Sequence, residues 1–239
     1  MAISSLSKNI LSLFLKKVCP ACGSNLRDNE LLCSWCELRV DQCSKIHWSS
    51  TGNPCKEPSA RRLEPGITGI PVYSAVLYNG LPGEIIVRLK FNGEKHLAKA
   101  AAGLIMQYSI RLPAPGDILV PVPAGRKRRR DRGYNQAALI AAKLASMSGC
   151  RCLDILKKDD SPSQVGLSPS LRRQNTAGIF HMKHRCRIPD GTDIWLVDDV
   201  ATTCSTIDSA AGVLLDSGAV RVTGLTLAYR KRTTDSIVR

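Results

Sequence analysis

No stretch of this 239-residue chain is apolar for long enough to cross a membrane. The opening run, Ile10–Leu15, stops at Lys16-Lys17. It has neither a strongly basic start nor a small-residue cleavage site, so it does not read as an export signal. Leu6, Ile10, Leu13 and Phe14 recur at helical spacing and read as one face of a packing helix, with no membrane insertion. No long-period repeat is present. Acid is also scarce: 20 Asp and Glu stand against 34 Lys and Arg, a net charge of +14. Such an excess calls for an anionic partner, whether nucleic acid, a phosphorylated metabolite or an acidic protein. It says nothing about fold. The 44% hydrophobic content is enough for a real core and argues against wholesale disorder.

Cysteine, by contrast, is plentiful, with 10 residues. A chain this long without an export signal does not fit a secreted disulfide scaffold. Reducing cytoplasm, where cysteine pairs bind metal, is the expected setting. Cys19-x2-Cys22 and Cys33-x2-Cys36 are two knuckles separated by ten residues. Each places two thiolates on one tight turn, and together they complete a tetrahedron around zinc. Gly23 suits the first turn. Four thiolates leave no open position for water, so the zinc is expected to be structural. A module this small can hardly fold on apolar burial alone. Cys43, His47 and Cys55 have irregular spacing and read as a decayed or absent second site.

The texture changes along the chain. Residues 1–58 form the N-terminal helix and cysteine module. Residues 59–70, with Pro65, Gly66 and Gly69, form a linker, and 71–239 form the larger domain. In that domain Val72–Tyr78, Asp117–Val122, Asp193–Val197 and Val220–Ala228 read as strands. Pro82–Lys90, Glu94–Tyr108, Asn135–Ser146 and Thr206–Ser217 read as helices. Alternation of this kind predicts an α/β fold, a parallel sheet flanked by helices. Lys157–Thr176 is a polar stretch long enough to be a functional loop. His181, His184 and Cys186 read as surface or edge-strand residues.

The chemistry concentrates at Asp193–Thr206, DIWLVDDVATTCST. An apolar strand is followed by Asp198 and Asp199 at its carboxyl end, where ligands bind in open α/β sheets. Thr202, Thr203, Ser205 and Thr206 then lead into a helix N-terminus, whose free N–H groups favour a phosphate. Carboxylates beside a phosphate cradle would repel a bare anion. They fit a ligand that also offers hydroxyls, as a sugar phosphate does. A second feature, Arg126–Arg132, holds six cations and one acid. It could line the pocket and neutralise a pyrophosphate, follow a nucleic-acid backbone through Arg128, Arg129, Arg130 and Arg132 with Tyr134 stacking on a base, or be a solvated turn. Because it follows a different strand from Asp198 and Asp199, the two features are expected to act independently.

The Asp198–Thr206 loop resembles the phosphoribosyl-pyrophosphate (PRPP) signature of type I phosphoribosyltransferases. The chain is similar over nearly its whole length to the competence-associated ComF family. The likeness rests on the four-cysteine start, VRLKF at Val87–Phe91, VPVPAGRKRRRDRGYNQ at Val120–Gln136, LRRQN at Leu171–Asn175 and the Asp198–Thr206 loop. The resemblance implies a type I phosphoribosyltransferase-like sheet domain behind a four-cysteine zinc module. It implies that Asp198 and Asp199 hold ribose hydroxyls, and in an active enzyme serve as the catalytic carboxylates. Thr202, Thr203, Cys204, Ser205 and Thr206 would wrap the 5′-phosphate, and the loop Ala124–Arg126 would face pyrophosphate. Lys157–Thr176 would be the hood. Magnesium would accompany PRPP. The implied role is cytoplasmic processing of incoming single-stranded DNA in natural transformation, beside a helicase-like partner. The rival is a true phosphoribosyltransferase acting on a nitrogen acceptor that no motif identifies. Glutamine-dependent amide transfer has no support, because Cys19 is committed to zinc. The family usually has glycine where Cys204 stands, and glycine lets backbone approach phosphate without a Cβ. The helix N-terminus is expected to activate the Cys204 thiol and lower its pKa, with a small inert filler in place of glycine as the alternative.

Overall fold

The computed structural model describes residues 18–27, 30–43, 46–48, 70–159, 179–189 and 191–230. In chain order these form α1 (Ser34–Glu37), β1 (Ile46–Trp48), β2 (Pro71–Leu77), α2 (Gly80–Phe91), α3 (Leu97–Tyr108), β3 (Ile118–Pro121) and α4 (Arg126–Arg132). Then follow α5 (Gln136–Ser148), β4 (Arg151–Cys152), β5 (Leu156–Lys158), β6 (Phe180–Met182), β7 (Asp193–Ala201), α6 (Ser205–Asp216) and β8 (Arg221–Tyr229). The main sheet has the order β1-β2-β8-β7-β3-β4. Five of its strands are parallel, and only β1 runs antiparallel, against β2. The expected α/β class with a parallel sheet is therefore present.

The central strands are apolar almost throughout, as strands covered on both faces must be. Tyr73, Trp195, Val197 and Leu225 face one core with α2, α3 and α5. Val72, Ile194, Leu196 and Val222 face a second core with α6 and the β5–β6 pair. Buried positions Leu81, Ile85 and Leu89 of α2 recur at helical spacing. Asn135 caps α5 by accepting from the Ala137 N–H at 3.2 Å. The helix ends at Gly149, in the left-handed region at φ +73°.

Connectivity positions the site. From β3 the chain passes through α5 to β4, on one side of it. From β7 it passes through α6 to β8, on the other side. The winding thus reverses between β3 and β7, and the crevice at their carboxyl ends is a topological switch point, the usual ligand site of open parallel sheets.

The cysteine segment packs directly into the first core, where Cys19, Leu32 and Cys36 are buried. Glu37 accepts from Gln107 at 2.8 Å and from the Tyr108 hydroxyl at 3.1 Å. Arg39 pairs with Glu84, and Asn79 donates to Asp41 at 2.6 Å. The Cys43 N–H donates to Ala75 at the edge of β2, at 3.0 Å. Residues 49–69, which hold the expected module boundary and most of the linker, lie outside the described residues.

Gly224 lets α6 sit close to the sheet beneath the Asp198–Thr206 loop. A Cβ there would meet a Val72 methyl at 2.9 Å and an Ile207 methyl at 3.1 Å. Both neighbours are β-branched and stiff. Gly224→Ala should therefore cost about 1–3 kcal/mol by overpacking, read as a lower urea midpoint with unchanged m-value.

Candidate functional site

β7 runs on to Ala201, four residues beyond the end that its apolar run suggests, so Asp198 and Asp199 lie within the strand. Strand alternation sends their side chains different ways. Asp199 turns toward α2, where Lys90 Nζ donates to Oδ1 at 2.9 Å. Only 5% of the Asp199 side chain is exposed, and its Oδ2 is buried with no hydrogen-bond partner. Asp198 turns the other way, toward β5 and Lys158, and its Oδ1 accepts the Asp199 N–H at 2.8 Å. Withdrawal from solvent, reinforced by the neighbouring Asp199 carboxylate, pushes Asp198 up to about 7. Lys158 is lowered by burial and by Arg128, while Asp198 works in the opposite sense.

Beyond the carboxylates the chain makes a tight loop. Asp198, Val200 and residues 201–207 line a small concavity. Thr203 Oγ1 and Ser205 Oγ lie 2.8 Å apart, and α6 begins at Ser205. The arrangement offers hydroxyls and the N-terminus of a three-turn helix to an anion, with carboxylate at its back. Cys204 takes the left-handed conformation glycine would favour, at φ +57°. Its side chain is 4% exposed and packs with the second core. Burial and Asp208 push the thiol up to about 12. Of the two states open for Cys204, the inert filler is the one supported: the residue is buried with the second core, and burial there disfavours the thiolate.

The basic cluster is a short helix, α4, rather than a turn. Arg126, Arg128, Arg129 and Arg130 are exposed, while Arg132 is half-buried with its guanidinium 5.0 Å from the Phe91 ring. Arg126 reaches Asp159 at 3.2 Å, and His181, in β6, also meets Asp159, at 3.1 Å. Tyr134 is not available to a base. Its ring is buried, its hydroxyl donates to the Leu89 carbonyl at 2.5 Å, and Lys95 covers it at 5.0 Å. Because β3 and β7 are parallel neighbours, α4 and the acidic loop open on the same edge of the sheet. The expected independence of the two features therefore has no geometric basis. Within the Lys157–Thr176 stretch only 157–159 are described, and Leu171–Asn175 lies outside the described residues.

A roomier groove, about 430 Å³, lies against α2 between Tyr78, Gly83, Val87 and Arg88. Its charged lining residues, Glu84 and Arg88, are already committed to ion pairs, so its size does not make it the site.

Cys19, Cys22, Cys33 and Cys36 come together with their sulfurs within 4.8 Å of one another. Tetrahedral thiolates around zinc stand roughly 3.8 Å apart, so the set fits a metal ion. The first knuckle is closed by the Gly23 N–H donating to Cys19 at 2.8 Å, with Gly23 at φ +78°. Cys43 is buried at the sheet edge, and Cys55 lies outside the described residues.

No family model matches the chain. Individual relatives do. A protein of Salmonella typhi named DNA utilization protein YhgH is 31% identical over 216 residues, covering 86% of this chain and 87% of its own. Competence protein ComFC of Bacillus subtilis is 30% identical over 156 residues, 64% of this chain and 62% of its own. Competence protein F of Haemophilus influenzae is 30% identical over 156 residues, 60% of this chain and 67% of its own. The chain belongs to the ComF family.

Sequence reasoning missed the two lysines that face the acidic pair. Lys90 was visible only as part of VRLKF, and Lys158 only as part of a polar stretch. Neither position announces that it will face a carboxylate distant in sequence. Among the described residues no helix is long and apolar enough to cross a membrane.

The burial of Cys204 has a direct readout. Iodoacetamide at pH 8 should leave Cys204 unlabelled in the folded protein and label it after denaturation, as mapped by mass spectrometry. Fast labelling of the native protein would mean that the thiol faces the loop.

Proposed function

We propose that this protein binds PRPP through a type I phosphoribosyltransferase-like domain and assists the uptake or processing of single-stranded DNA in natural transformation. The observation that carries the reading is the composition of the switch-point edge. A buried carboxylate with an unpartnered oxygen, a hydroxyl-lined loop at a helix N-terminus and an exposed arginine helix stand at neighbouring strand ends there. Asp198 and Asp199 would take the ribose hydroxyls. Thr202, Thr203, Ser205, Thr206 and the Cys204 backbone would take the 5′-phosphate. Arg126 would face the pyrophosphate. Magnesium bound with PRPP would neutralise part of the pyrophosphate charge, and the buried Asp199 oxygen suits either a hydroxyl or that cation. The names of the relatives support the DNA role, and Arg128, Arg129 and Arg130 are its exposed contact points. A cytoplasmic setting and a helicase-like partner belong to the same proposal.

The rival, a true phosphoribosyltransferase acting on a nitrogen acceptor, draws support from one observation. Cations of α4 and carboxylates of β7 share one edge, so a departing pyrophosphate and a cationic sugar carbon would each meet opposite charge. Pyrophosphate release dependent on one base or amine would favour turnover, and binding without release would favour the binding role.

Titration calorimetry with magnesium and PRPP should show saturable binding that Asp199→Asn abolishes. Ionised Asp198 is the better acceptor for hydroxyls, so affinity should fall as pH drops through about 7. Arg128→Ala with Arg129→Ala should weaken single-stranded DNA binding and flatten its salt dependence. If this pair changes only PRPP binding, α4 is not the DNA contact.

The four cysteines are proposed to hold structural zinc. Metal analysis should give about one zinc per chain. Cys33→Ser should lose the zinc and expose the segment to protease. A metal-free chain that keeps residues 18–43 protected would count against it.

A further inference from the structure

The last turn of α2 makes contacts in four directions. Arg88 donates twice to Glu94, at 2.8 and 2.6 Å, and once to the carbonyl of Ala21, inside the first cysteine knuckle, at 2.6 Å. The Leu89 carbonyl accepts the Tyr134 hydroxyl at 2.5 Å. Lys90 meets Asp199 at 2.9 Å, and Phe91 lies under Arg132 at 5.0 Å. An α-helix turns about 100° per residue, so four successive residues can reach four different surroundings. Here those surroundings are the metal knuckle, the segment leaving α4, the acidic strand end and α4 itself.

The Asp199 contact is the consequential one. Of its two oxygens, Oδ1 is held by Lys90, while Oδ2 is buried and unpartnered. Leaving a buried carboxylate oxygen unsatisfied is costly, which points to a group that arrives with a donor or a positive charge. With Oδ1 held by Lys90, rotation of the carboxylate is restrained and Oδ2 is left for another donor. We propose that Lys90 is a positioning residue, which fixes the Asp199 carboxylate so that Oδ2 receives a ligand hydroxyl or the ligand's divalent cation, and that Arg88 anchors the turn carrying it to the cysteine knuckle. The inference rests on reading the acidic pair as a PRPP site, so one arm of its test uses no PRPP.

The test uses the full metal-loaded chain with Lys90→Met, Lys90→Arg and Arg88→Met. The first arm is affinity for PRPP with magnesium at pH 8. The second is the titration midpoint of Asp198 in the ligand-free protein, by carboxyl-carbon NMR. The charged groups acting on Asp198 are Asp199 on its own strand, Lys90 from α2 and Lys158 from β5, with Arg128 from α4 acting in turn on Lys158. Lys90 holds the Asp198 value down, so removing its charge moves the midpoint up while Asp199 stays ionised. Lys90→Met should weaken PRPP binding about tenfold or more and raise the midpoint. Lys90→Arg should recover both. Arg88→Met should weaken binding less, with unchanged metal content. If Lys90→Met does not fold, Lys90→Gln keeps a donor without charge and should shift both readouts the same way. Wild-type affinity and midpoint in the lysine variants would overturn the proposal. So would a loss of affinity that Lys90→Arg does not rescue. If the native protein binds no PRPP, the ligand reading falls, and the midpoint arm alone still decides whether Lys90 governs the carboxylates.

Discussion

A carboxylate drawn almost wholly out of water has to be answered by a cation, and at Asp199 that cation is Lys90. The pairing fixes more than two side chains. Lys90 can reach the end of β7 only if the last turn of α2 lies against the sheet. That turn is held there from behind by Arg88 on the cysteine knuckle and from the side by Tyr134 on the Leu89 carbonyl. Breaking a buried pair of this kind by removing one partner typically costs about 3–5 kcal/mol, because the other charge is left stranded. The cysteine segment is therefore linked to the site through two residues of the same helical turn, Arg88 and Lys90.

The second organising fact is topological. Reversal of the winding between β3 and β7 brings the two loops richest in opposite charge to neighbouring strand ends. Their fields work on each other through Lys158, which is depressed by Arg128 and supported by Asp198. A ligand combining hydroxyls with phosphates matches such an edge better than a uniform polyanion does. The exposed arginines of α4 add further positive charge to that edge.

Much of this was legible in the sequence, because the signals were local. The four cysteines declared themselves by spacing. The main helices and strands of the sheet domain followed from periodicity, and Gly218 marked the end of one helix. The Asp198–Thr206 loop could be placed at a strand end because an apolar run preceded it. What could not be read was anything that depends on two segments meeting. Lys90 and Asp199 are 109 positions apart. Tyr134, beside a run of arginines, looked like a stacking surface. Only the packing of α2 shows that its ring is buried and its hydroxyl spent. Cys204 was ambiguous for a related reason: a helix N-terminus activates a thiol that faces it, and whether the sulfur faces in or out is a matter of backbone conformation, here left-handed.

The segment from Val122 to Asn135 is closed on itself, since the Asn135 side chain donates to the Val122 carbonyl at 3.0 Å. Between these ends α4 is a formed helix, stopped by Gly133 at φ +76° and steadied by Arg132 on Phe91. Its arginines are thus displayed on a backbone already in place. Many basic segments become ordered only when they meet a polyanion, and that ordering subtracts from affinity. Here the backbone contribution to that loss is already met in the free protein, leaving mainly the rotamer freedom of the arginines. Under the proposed DNA role, association with a charged strand would then be governed by released counterions rather than by folding of the contact surface.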